Sequence, residues 1–175
     1  NDGFDLGLAG DIGKPFLTLL ASTSAGTLLA GTAGFFIMTF FMIFAIARAY
    51  GLNRAYSLLP AILFILIPNV FKHYKLAYVD MMVAAYFVTS AYFLLRLSER
   101  YKRGEVIAFA LSTGLLIGTK TIALPYSILL IIPFALVSLM HVKKGGLKLC
   151  VAACMIIFLL SAFSYIRNWI QTGNP

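Results

Sequence analysis

Residues 72–80, Lys-His-Tyr-Lys-Leu-Ala-Tyr-Val-Asp, put a carboxylate, two ammonium groups, an imidazole and two phenols immediately ahead of a long apolar run. A carboxylate in that position can take a proton from a hydroxyl, and cations beside it can hold a phosphate. Asp80 is the leading candidate for chemistry, because an ionisable side chain at a membrane boundary marks a functional site by default. Its plainer reading is a helix start, where a carboxylate caps free N–H groups and complements the helix dipole for about 0.3–1 kcal/mol. Lys72, His73 and Lys75 suit a phosphate at headgroup level, or else snorkel to the interface as ordinary boundary residues.

Two further positions carry charge where charge is expensive. Lys120 interrupts an apolar stretch between Gly118 and Pro125, and a cation there must be paired or wetted. Arg167-Asn168-Trp169 closes the last apolar run. Arg167 has the fork that grips a phosphate, while Trp169 and Tyr165 fit an interfacial aromatic belt. Cys150 and Cys154 lie one helical turn apart inside an apolar run and read as small packing residues, too few for a zinc site or a disulfide framework. No HExxH, CxxC pair, P-loop or Ser/His/Asp arrangement is present, so the sequence assigns no metal ligands and leaves the cofactor, including a divalent metal, open.

The elements that position these residues follow from composition. The 175 residues are 61% hydrophobic and only 11% charged, under half the roughly 25% of a soluble domain. Apolar runs of this length span bilayers. The expected architecture is all-α, a polytopic transmembrane helical bundle of about six spans, near 26–47, 56–71, 80–97, 105–118, 121–142 and 147–165. Residues 1–25 read as an extracytoplasmic loop with an interfacial helix, 26–170 as the bundle, and 171–175 as the start of another outer loop. The fourth run is short for a span and must recruit neighbours or thin the bilayer. Its Gly114 and Gly118 form a small-xxx-small pair suited to close helix approach. Pro133 predicts a kink in the fifth run.

The net charge of +8 resides in short clusters between apolar runs, which argues for loop topology and against nucleic acid as a partner. Arg48, Arg54, Arg96, Arg100, Lys102, Arg103, Lys143, Lys144 and Lys148 fall on one side; Lys14, Lys72, Lys75, Lys120 and Arg167 fall on the other. The richer side is expected to be cytoplasmic, with contacts to anionic membrane lipid. Asp80, Lys120 and Arg167 then share the extracytoplasmic face. The chain opens on Asn1 and stops on Pro175 after Thr172-Gly173-Asn174, so an internal fragment of a longer protein is expected.

The order of features resembles the middle of bacterial GT-C-type membrane glycosyltransferases, the group related to dolichyl-phosphate-mannose protein mannosyltransferases and aminoarabinose transferases. The resemblance is carried by Ile67-Pro68-Asn69, Ala77-Tyr78-Val79-Asp80, Gly114-Leu-Leu-Ile-Gly-Thr-Lys120, Tyr165-Ile-Arg-Asn-Trp169 and Thr172-Gly-Asn-Pro175, and it covers residues 45–175. It implies an enzyme of the cell envelope, in the bacterial inner membrane. Such an enzyme moves a sugar from a polyprenyl-phosphate donor to an acceptor on the outer face, with inversion. Asp80 matches an acid at the external start of a later span, Lys120 the family's Gly-x-Lys element, and Arg167-Asn168 its pre-loop Arg-Asn. The implied roles are Asp80 as catalytic residue, with Lys75, His73, Lys120, Arg167 and Asn168 binding substrate. The family's principal acid lies in a first outer loop that Asp2, Asp5 and Asp11 do not match, so the fragment alone is expected to be inactive. The competing class is an ion-coupled transporter segment with Asp80 and Lys120 as its coupled pair; neither reading sets the oligomeric state.

Overall fold

The computed structural model describes residues 32–68, 70, 79–141 and 145–173, with the backbone alone at 164, 167, 168, 171 and 172. The expected outer loop at 1–25 and the pair His73 and Lys75 lie outside these residues. The described chain is all-helical: α1 (Thr32–Ala49), α2 (Arg54–Leu66), α3 (Val79–Glu99), α4 (Arg103–Thr119), α5 (Ala123–Met140) and α6 (Gly146–Thr172). Four of them, α1, α3, α5 and α6, are long and apolar enough to cross a membrane. Large apolar side chains such as Leu129, Leu139, Phe158 and Leu159 are 60–65% exposed, an arrangement suited to lipid and hostile to water.

A short helix, longer only than α2, sits at the centre. α4 packs along α6 and α3 more extensively than any other helix pair, and it buries Val106, Phe109, Ala110, Ser112, Thr113, Gly114, Leu116 and Ile117. Those positions wrap most of the helix circumference, leaving Ile107, Leu111 and Leu115 as one outward stripe. A helix of 17 residues is only about 25 Å long. Enclosure by protein, which supplies partners along its whole length, removes the mismatch that lipid would impose.

Small residues set these approaches. A Cβ on Gly114 would stand 3.0 Å from Leu160 Cβ and 3.2 Å from Ile157 Cα, so the first glycine of the small-xxx-small pair is the point where α4 meets α6. Phe109 and Phe134 stack in the core with centroids 4.5 Å apart. On α5 the buried positions Ala123, Ser127, Leu130, Phe134 and Ser138 recur every three or four residues, which is a single inward stripe.

Local chemistry starts and stops the elements. Asn53 caps α2, its side chain accepting from the Tyr56 amide at 2.9 Å, as short amides do at N-caps. Pro125 lies in the first turn of α5, where its missing N–H costs nothing. Pro133 sits inside α5, which continues through it to Met140. α6 runs seven residues beyond the boundary expected at 165, ending where Gly173 takes the left-handed conformation (φ 68°) and its amide returns to the Trp169 carbonyl. That is the helix-stop geometry glycine permits.

α3 and α4 run antiparallel, and at one end of the bundle their turn is tied to the turn between α5 and α6. The Tyr101 ring stacks on His141 with centroids 4.8 Å apart. Its hydroxyl lies 3.1 Å from Ser138 Oγ and 3.3 Å from the Gly146 carbonyl. Gly146 is held so closely that a Cβ there would meet the Ser138 carbonyl at 2.5 Å.

Candidate functional site

The opposite end of the bundle is built by the first turn of α3 and the reversal from α4 into α5. Asp80 is the second residue of α3. Lys120 ends α4 in an extended conformation (φ −160°, ψ 140°), and the Ala123 and Leu124 amides turn back to the Lys120 and Thr121 carbonyls. A three-residue reversal therefore presents the lysine outward. Lys120 Nζ donates to Asp80 Oδ1 at 2.9 Å. Each group also lies at the helix end whose dipole favours its charge, the carboxylate at an N-terminus and the ammonium at a C-terminus.

The pair lies at the rim of an open cavity of about 700 Å³ between α3 and α5. Val83 and Phe87 of α3 face Tyr126 and Leu129 of α5 across it. The Phe87 and Tyr126 rings meet edge to face at 6.2 Å. Almost all of the wall is apolar, and its charge is confined to Asp80 and Lys120. Their side chains are 47% and 49% exposed, so water or a ligand can reach both. An exposed ion pair is worth about 0–1 kcal/mol, and either partner can exchange it for another without disturbing the fold.

Of the residues singled out from sequence, the structure brings Asp80 and Lys120 together. Arg167 and Asn168 lie in the last turns of α6. α6 runs parallel to α4, with Val106 level with Ala153 and Gly114 with Ile157 and Leu160. The same spacing carries Arg167 to the end of the bundle that holds Lys120. Lys75 and His73 precede α3 outside the described residues.

Sequence reasoning missed the apolar wall. Its signal was present, since Val83 and Phe87 follow Asp80 at three and seven residues and so share its helix face. It also missed the ion pair of Arg96 with Glu105 at the other end, at 3.4 Å. Among the described residues no three His, Cys, Asp or Glu side chains gather where a metal would sit. Compared with protein-family models, curated proteins and solved structures, the chain matches none.

Proposed function

We propose that this chain is part of a membrane glycosyltransferase that moves a sugar from a polyprenyl-phosphate carrier to an acceptor on the extracytoplasmic face. The observation that supports the reading is the Asp80–Lys120 pair at the rim of an apolar cavity. A lipid-linked substrate has that composition: a phosphate at the boundary and a hydrocarbon tail beside it. The order of motifs, which resembles that of the GT-C group, points the same way.

In the proposed step the acceptor hydroxyl oxygen attacks the anomeric carbon while the bond from that carbon to the phosphate oxygen breaks. The electron pair leaves with the phosphate, and the acceptor proton passes to the Asp80 carboxylate. Lys120 trades its contact with Asp80 for the departing phosphate, which both frees the base and stabilises the leaving group. In this reading Lys75 and Arg167 also contact the carrier phosphate. Attack from the side opposite the leaving group inverts the anomeric centre.

Asp80→Asn in the protein expressed from its full reading frame tests this. Membranes carrying it are expected to consume a polyprenyl-phospho-sugar at least about 100-fold more slowly, the scale of a lost general base, at an unchanged protein level. Turnover close to normal defeats the assignment. Proton- or sodium-driven uptake by sealed vesicles, lost in the same variant, would move the pair to a transporter.

A further inference from the structure

The basic end of the bundle holds a second, smaller cavity that the proposed transfer does not use. About 270 Å³ lies between the first turns of α4 and α6, walled by Val106, Leu149, Ala152 and Ile156, with Arg103 and Lys148 at the end where the helices begin. Because α4 and α6 run parallel, both helix N-termini open on this place. Arg96 nearby is taken up by Glu99 and Glu105. Arg103 and Lys148 are exposed and form no ion pair among the described residues. The groove thus joins two uncommitted cations to an apolar slot made shallow-walled by Ala152 and Ala153.

We propose that this groove binds one anionic phospholipid of the adjoining leaflet. Its phosphate sits between Arg103 and Lys148, and one acyl chain lies along Val106, Ala152 and Ile156. Charge complementarity selects the occupant. A zwitterionic lipid carries no net charge to match two cations, and each lysine or arginine near an anionic surface adds attraction. A second copy of this chain is disfavoured, because Arg103 and Lys148 at the mouth of the groove would face their own kind.

The test is retention of lipid by the full chain purified in neutral detergent, read by native mass spectrometry on titration with phosphatidylglycerol or phosphatidylcholine. One phosphatidylglycerol per chain is expected to be retained about tenfold better than phosphatidylcholine. Arg103→Gln with Lys148→Gln is expected to erase that preference, an effect of about tenfold or more for two cations. Arg100→Gln with Lys102→Gln keeps the charge loss equal and is expected to leave the preference intact. Ala152→Phe fills the slot with both cations present and is expected to lower retention; helical circular dichroism reports that each variant is folded. The proposal is overturned by a preference that survives the first double variant, or by an equal loss in the second. It is also overturned by equal competition from glycerol 1-phosphate, or by Ile107→Cys chains that cross-link through the groove.

Discussion

Ser90 of α3 and Ser112 of α4 share a hydrogen bond of 2.8 Å, midway along a seam closed by Asp80–Lys120 at one end and Arg96–Glu105 at the other. Thr113 adds a donor to Ser90 at 3.2 Å. Three polar contacts at three heights hold one antiparallel register. Sliding α3 by a single turn would break all of them at once. The ion pair at the candidate site is therefore aligned from below by hydroxyls buried in the helix interface.

Ser90→Ala is expected to loosen that seam by about 1 kcal/mol, within the range of interhelical hydrogen bonds in membranes. Thr113 would lose its acceptor while keeping its buried hydroxyl. Denaturant titration in mixed micelles measures the loss, and Ser90→Ala with Thr113→Val should cost less than the two changes added together.

Asp80→Asn and Lys120→Met are expected to separate stability from activity. Both groups are about half exposed, so each change should alter unfolding by no more than about 1 kcal/mol. The same variants should slow sugar transfer by about 100-fold or more, the scale of a lost base or phosphate partner. Thermal melts beside a transfer assay check this. A large drop in Tm in either variant would make the pair a structural latch.

Gly114→Ala is expected to cost about 1–3 kcal/mol, as overpacking does, because its new methyl meets the Ile157 backbone at 3.2 Å. Gly34→Ala, in a part of α1 where nothing lies within 4 Å, should stabilise by up to about 1 kcal/mol through helix propensity. Opposite signs for two identical substitutions, read in the same detergent, test the close approach of α4 to α6.

Tyr101→Phe removes a hydroxyl within reach of Ser138 and Gly146 and keeps the ring on His141. A loss of about 1 kcal/mol is expected, whereas Tyr101→Ala should cost more by the stacking contribution of roughly 0.5–1.5 kcal/mol. Proteolysis of the basic turns, compared across the two variants, reports how firmly they are joined.

Much of this architecture could be read from residue order. Long apolar runs mark the helices, Pro125 marks the start of α5, and the alternation of loops places Asp80 and Lys120 on one side of the bundle. What joins them could not be read that way. Ser90, Ser112 and Thr113 are unremarkable in an apolar run, since a hydroxyl that bonds its own backbone leaves no trace in hydropathy. Their value appears only when two helices adopt one register. The length of α6 was legible in principle, because nothing between Tyr165 and Gly173 breaks a helix. Charge and aromatic residues near Arg167 suggested an interface instead. The central place of α4 was least legible, for a short and less apolar run looks peripheral until its neighbours enclose it.

That central place has a consequence for how the chain is made. α4 is not among the helices apolar and long enough to cross a membrane unaided, and the surface it packs most extensively belongs to α6, which is synthesised only after α5. A nascent chain stalled after α5 would hold an inserted helix lacking its main companion, with Gly114 facing lipid and Tyr101 deprived of the Gly146 carbonyl. Such an intermediate needs shelter by the insertion machinery until α6 arrives, and truncations before residue 146 should be cleared by quality-control proteases.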